Sequence, residues 1–259
     1  MDRIKDNKIF NFLGLQFHNL TLKETIEQVE RFIQSNTPHK VFTPTAELIV
    51  RANQDDGLKE IYNTTDILTV DSYVVYYAAR LCGKTLKEPV SAARLMFDFL
   101  DVARRNNYKL YLLGATEEVS EATAENLKRD YPGINIVGRR NGYFDSNNDA
   151  AIVNEIRTKT PDVLLVAMSS PLKENFISRN IEKMNVPVSI GVGGSFDIIA
   201  GKCKLAPAWI SKMGLEWFYR MVQEPRRLWK RYLITNAMFL WLVLRELLRQ
   251  RGGKRNGRV

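Results

Sequence analysis

Six places in this chain set reactive or ligand-holding side chains just past short apolar runs. In open α/β sheets ligands collect beyond the carboxyl ends of the strands, so these places are where chemistry is expected. Thr43-Pro44-Thr45-Ala46-Glu47 puts two hydroxyls ahead of a helix. Capping explains Thr45 but leaves Thr43 without a role. Asp71 follows Ile67–Val70 and precedes Ser72-Tyr73. A carboxylate there can take the proton from an attacking hydroxyl, and it can equally cap the next helix. Gly114-Ala115-Thr116 opens a helix whose first amides can hold a phosphate, although a strand–glycine–helix turn is common. Gly142-Tyr143-Phe144-Asp145 places an aromatic ring beside a carboxylate, either to stack on a nucleobase or simply to turn the chain over a core aromatic. Ser169-Ser170-Pro171-Leu172-Lys173-Glu174 starts a helix with hydroxyls and a lysine. Gly191-Val192-Gly193-Gly194-Ser195-Phe196-Asp197 lets a ligand approach the backbone closely at Gly193 and Gly194.

Some chemistry is disfavoured by spacing. The glycine run is not G-x-G-x-x-G, because Phe196 holds the last position, and no Gly-Lys-Ser/Thr follows it. A dinucleotide enzyme or a P-loop ATPase is therefore not expected. The chain has no Asp-x-Asp pair to clamp a metal diphosphate, and Asp55-Asp56 reads as a solvated helix-end pair. His18 and His39 have no Cys or acidic partner at ligand spacing, and Cys82 and Cys203 form neither a disulfide framework nor a metal cluster. Cys82, in an apolar helical stretch, reads as a small core residue. Charge on a bound diphosphate must then be met by amides and by cations, of which Arg220, Arg227 and Lys230 are candidates.

These residues need a scaffold, and the apolar pattern supplies one. Strands are expected at Lys40–Thr43, Ile67–Val70, Tyr108–Leu113, Ile134–Val137, Val163–Ala167 and Val188–Val192. Several are unbroken apolar runs, as for strands covered on both faces. Helix periods lie between them at Leu22–Gln34, Ala46–Asn53, Tyr73–Leu81, Ala92–Asn106, Glu117–Tyr131, Asp149–Lys159 and Pro171–Lys183. Thr21 with Glu24 reads as a capping box, Thr116 precedes two acidic residues in a first turn, and Ser170 stands as a cap before Pro171. The alternation predicts an α/β fold with a mostly parallel, Rossmann-like sheet flanked by helices.

Composition divides the chain. Its 259 residues carry a formal charge of +9, but residues 202–259 hold 14 Lys and Arg against three acidic residues. The first 201 residues, with 24 basic and 26 acidic, are close to neutral. The expected division is an α/β body at 1–206 and a basic, amphipathic helical appendage at 207–259. Pro207–Val222 reads as an apolar helix, broken at Glu224-Pro225. An apolar run from Leu233 to Leu244 then sits between basic flanks, and is too short for the roughly 20 residues a membrane span requires. Such a helix suits the interface of an anionic membrane. It also suits packing on the body or on a second subunit. A nucleic-acid tail is the third reading, disfavoured because phosphate binding does not need so much apolar surface. The polar start, Asp2 to Lys8, has no apolar core of a signal peptide, so a reducing cytoplasmic location is expected.

With those residues assembled, the chain resembles the WecG/TagA/CpsF family of bacterial glycosyltransferases over nearly its whole length. The most specific stretch runs from Ile190 through Gly191-Val192-Gly193-Gly194-Ser195-Phe196-Asp197 to Lys202, then Ala206-Pro207, Gly214 to Arg220, and Gln223 to Arg226. Pro132–Gly138 and Gly142-Tyr143-Phe144 match as well. The resemblance implies an inverting, metal-independent transfer from a UDP-sugar to a polyprenyl-diphosphate-linked saccharide of a cell-surface polysaccharide: wall teichoic acid, capsule or exopolysaccharide. No cofactor is then needed beyond the UDP-sugar donor. It implies Asp71 as the base, Thr43 as an active-site threonine, nucleotide contacts at Tyr143 and Asp197, and cations at Arg220, Arg227 and Lys230.

Departures gather near the substrate. Thr45 stands where the family commonly has Asn, Ser72 follows Asp71 in place of Gly, and Val90-Ser91-Ala92-Ala93-Arg94 lacks a glycine and reverses a charge. Lys173 replaces a glutamine. The expectation is a transferase of N-acetylmannosamine or a related hexose or uronic acid, with Arg94 and Lys173 hinting at an acidic sugar. It works as a peripheral protein on the inner membrane face, without nucleic acid and with homo-oligomers possible. The alternative is a nucleotide-sugar-binding protein whose catalysis is impaired.

Overall fold

Val163–Ala167 and Val188–Gly191 lie at the centre of the sheet because neither has an exposed face; every residue of both is buried. The structure, a computed structural model, describes residues 9–35, 37–144 and 149–256, with only the backbone at residue 227 and residues 251–256. Strands in chain order are β1 (Ile9–Phe12), β2 (Leu15–His18), β3 (His39–Phe42), β4 (Ile67–Leu68), β5 (Lys109–Gly114), β6 (Asn135–Arg140), β7 (Val163–Ala167) and β8 (Val188–Gly191). Helices are α1 (Leu22–Gln34), α2 (Ala46–Ala52), α3 (Asp56–Asn63), α4 (Tyr73–Leu81), α5 (Ala92–Arg105), α6 (Glu117–Asp130), α7 (Asp149–Lys159), α8 (Leu172–Met184), α9 (Ser195–Ile199), α10 (Ala208–Lys212), α11 (Glu216–Gln223) and α12 (Pro225–Asn256).

Six strands form one sheet in the order β4-β3-β8-β7-β5-β6, with every pairing parallel. The expected α/β fold and its parallel sheet are what the chain adopts. Alternate side chains of β5 divide between two cores: Tyr111 and Leu113 face one, Leu110 and Leu112 the other. Thr21 closes the expected capping box with Glu24 on α1, Thr116 caps α6, and Cys82 is a buried core residue.

Several elements differ from expectation. The hairpin β1–β2 was not foreseen; Leu13 and Gly14, both at positive φ, turn it, and Phe12, Leu15 and Phe17 bury in the core. Asp55 accepts from the Leu58 amide at 3.1 Å and starts α3, a helix the periodicity did not isolate. Ser170 does not cap α8: Pro171 holds that position and makes no side-chain cap bond. Pro207–Val222 is two helices, because Gly214 at φ +75° breaks the run between α10 and α11.

The long helix α12 packs along α2. Leu228, Phe239 and Val243 are buried, the latter two within the core that holds Tyr111 and Leu113. On its other side Trp229, Leu233, Leu240, Trp241, Leu244 and Leu248 are exposed. The helix therefore has two apolar faces, one seated on the body and one open. Among the described residues no helix is long and apolar enough to cross a membrane.

Candidate active site

Asp71 stands just past β4, and the chain around it explains its orientation. Val90 donates to the carbonyl of Val70 at 2.8 Å, which brings the start of α5 alongside. Asp71 Oδ1 then accepts from the Ala92 amide at 3.2 Å and from the Thr43 hydroxyl at 3.3 Å. The capping of α4 weighed from the sequence does not occur; Ser72 is the N-cap residue of α4 and Asp71 points elsewhere. Thr43, at the end of neighbouring β3, thus acquires its role as a donor that orients this carboxylate. Thr45 caps α2 through the Leu48 amide at 3.4 Å and also lines the cleft beside Asp71.

The surroundings of Asp71 favour its protonated form. Burial pushes its carboxyl up to about 7, the Glu216 carboxylate pushes the same way, and the Ala92 amide, Thr43 and Arg220 pull it down without prevailing. Glu216 is raised too, chiefly by burial, against the pull of Arg220, Ser211 and Arg94. Glu216 and Arg220 lie four residues apart on α11, so both reach the same side of the helix.

Arg220 joins the two halves of the site. Between the loops after β4 and β8 lies one strand, β3, so those loops stand about 10 Å apart at roughly 5 Å per strand. The Arg220 guanidinium covers that gap. It acts on the charge of Asp71, and its Nη2 packs so closely on Gly194 that a Cβ there would overlap it. Its Nε is buried without a hydrogen-bond partner among the described residues.

The other candidates distribute unevenly. Gly142 packs on Gly114, which brings Tyr143, 78% exposed, to the carboxyl end of β5. Gly114 is required for another reason than phosphate binding, since a Cβ would overlap the Ala167 backbone. The Ala115 amide donates to the Ala167 carbonyl and the Gly193 amide to Val166, so both have protein acceptors. Asp197 lies on α9 behind the glycines, partly exposed. Lys230 is exposed on α12; the Arg227 side chain and Asp145 lie outside the described residues. Lys173 stands apart from the rest. It is 6% exposed and its ammonium lies 2.6 Å from Glu174, which also accepts from Tyr62 at 2.9 Å. It is not free to meet a sugar.

Sequence reasoning passed over Glu216, Trp217, Arg231 and Tyr232, all in the wall of the Asp71 cleft. Only Glu216 carried a signal, its i, i+4 spacing from Arg220.

The fold and the cleft are those of an α/β protein in which a buried carboxylate and an arginine converge past the carboxyl ends of a parallel sheet. The chain belongs to the glycosyl transferase WecG/TagA/CpsF family, whose profile matches residues 10–253. It is 30% identical over 220 residues to an N-acetylglucosaminyldiphosphoundecaprenol N-acetyl-beta-D-mannosaminyltransferase of Bacillus spizizenii, covering 85% of this chain and 84% of that one. A protein of the same name from Bacillus subtilis is 29% identical over 90% of each chain. One from Staphylococcus aureus is 31% identical over 85% of each.

Proposed function

We propose that this protein transfers an N-acetylhexosamine, of the N-acetylmannosamine type, from a UDP carrier to a polyprenyl-diphosphate-linked N-acetylglucosamine in surface-polysaccharide synthesis. The single observation that carries the reading is the pairing of Asp71 and Arg220 at one cleft, with Arg220 also lying on the Gly194 loop. In the proposed step the Asp71 carboxylate takes the proton from the acceptor hydroxyl. Its oxygen forms the new bond to the anomeric carbon while the bond from that carbon to the diphosphate oxygen breaks. The electron pair leaves with UDP, and Arg220 stabilises the charge that develops there, joined by the basic residues Arg227 and Lys230 of α12. Thr43 keeps the base in position, and Tyr143 and Asp197 flank the nucleotide. No metal is required in this scheme.

A neutral donor fits better than an acidic one, because Lys173 is paired with Glu174. The open face of α12, with Trp229, Trp241 and neighbouring arginines, supports docking on an anionic membrane at the inner face of the cell, where the lipid-linked acceptor lies. Mass spectrometry of products from a panel of UDP-sugars, offered with a short-chain prenyl-diphosphate N-acetylglucosamine, tests the reading. A mass gain of one N-acetylhexosamine is expected. UDP binding with no transfer from any donor would leave the alternative, a nucleotide-sugar-binding protein without catalysis.

A further inference from the structure

The cleft that reaches Asp71 has a volume of about 170 Å³ and lies between the body and helices α10–α12. None of Gly114, Tyr143, Gly193 or Asp197 lines it; its walls come from the starts of α2 and α4 on one side and from α10, α11 and α12 on the other. This asymmetry has a chemical reading. In an inverting displacement the attacking hydroxyl approaches the anomeric carbon from the face opposite the departing phosphate. The base must therefore face the acceptor, while the nucleotide lies beyond, on the glycine side. A cleft that holds Asp71, is reached by Arg220 from the Gly194 side and excludes Gly114, Tyr143, Gly193 and Asp197 is on the acceptor's side of the reaction.

Its walls suit a sugar. Trp217 of α11 and Tyr232 of α12 meet at 6.0 Å between ring centroids, with planes at 70°, and form an aromatic corner. Tyr73, at the start of α4, faces the same space and is braced edge-on by Tyr76 at 5.9 Å. Flat aromatic faces pack on the C–H face of a pyranose and leave its hydroxyls and acetamido group to polar neighbours. Here those neighbours are Thr45 and Asn236. Arg231 crosses the floor and is held by Glu47 at 3.3 Å, a cation fixed near the diphosphate that such an acceptor carries.

Resting on the transferase reading above, we propose that this cleft is the acceptor subsite: it binds a hexosamine linked through diphosphate to a lipid, with Trp217 and Tyr232 as the aromatic platform that seats the sugar ring over Asp71. The subsite exists only when α11 and α12 are docked, so the C-terminal helices complete the acceptor side as well as supplying Arg220.

The test uses the full chain, N-acetylglucosaminyl diphosphate on a short alkyl chain as probe, and initial rates against both substrates. Trp217→Ala and Tyr232→Ala should each raise the acceptor KM by about tenfold, the worth of one aromatic contact. The Kd for UDP by calorimetry should stay within about twofold, and Tyr232→Phe, which keeps the ring, should behave as the unsubstituted protein. An unchanged acceptor KM in both alanine variants, or a parallel rise in the UDP Kd, would overturn the proposal. Should Trp217→Ala unfold, Tyr232→Ala and Trp217→Phe carry the comparison. If the unsubstituted protein binds UDP but transfers nothing, the transferase reading fails instead. Calorimetric titration of the same probe into the unsubstituted protein and Tyr232→Ala then decides the subsite alone, with equal affinities counting against it.

Discussion

The guanidinium of Arg220 rests on the backbone of Gly194, so closely that no side chain fits between them. Gly194 has φ −76°, an ordinary value for any residue, so it is the arginine and not the backbone that demands glycine there. The cation brought by α11 and the loop after β8 are in this way fitted to each other across the width of β3.

Gly194→Ala should accordingly separate stability from activity. The overlap falls on the far end of a flexible side chain, so the free energy of unfolding should move little, within about 0.5 kcal/mol. Displacing Arg220 should lower kcat/KM by roughly tenfold to a hundredfold, as loss of a charge-stabilising donor does. Calorimetry and steady-state rates check both halves.

In the proposed transfer Asp71 acts as base only when ionised, and burial raises its carboxyl to about 7. The kcat/KM profile should fall about tenfold per pH unit below that value. Glu216→Gln removes a charge that raises Asp71, so it should move this limb to lower pH. Asp71→Asn should cut turnover by about 10²–10⁴ with UDP affinity kept. The stability effect has the opposite sign. A carboxyl raised on folding binds protons more tightly when folded, so stability falls as pH rises from the usual carboxylate range toward 7. At pH 8 the Asp71→Asn protein should therefore melt at a higher temperature than the unsubstituted one.

Lys173 and Glu174 form a buried pair with Tyr62. Removing one partner strands a charge, so Lys173→Met should cost about 3–5 kcal/mol in urea unfolding. The double variant Lys173→Met with Glu174→Gln should recover most of that loss. A Lys173→Met protein of full stability but raised donor KM would return this lysine to the substrate.

Phe239 ties α12 to the body and is 2% exposed. Phe239→Ala should destabilise by about 3–5 kcal/mol if α12 and the body unfold together. Two urea transitions, with activity lost in the first, would instead mean that the helix detaches alone.

The parallel sheet was legible in the sequence because its strands are short apolar runs separated by helix periods, a pattern set by local spacing. The hairpin at Ile9–His18 was not, since its burial comes from packing beside α3, through Gln16 bonding to Asn63 47 residues away. Asp71 and Thr43 could be picked out one at a time, Asp71 with a capping alternative and Thr43 with no role of its own. What removed that alternative for Asp71 was the bond from Val90 to Val70, which delivers the Ala92 amide and points the carboxylate away from α4.

Residue types and spacing determined the fold class and the family resemblance, and through it singled out Asp71 and Arg220 as candidates, because strand ends and matched motifs are properties of local sequence. Tertiary structure alone decided that Lys173 is locked to Glu174, that α12 seats one apolar face on the body and leaves the other open, and that Trp217 and Tyr232 meet in the cleft that Asp71 lines. Burial and pairing depend on partners tens to hundreds of residues away, such as Tyr62 for Glu174, and nothing in the local run of residues specifies who those partners are.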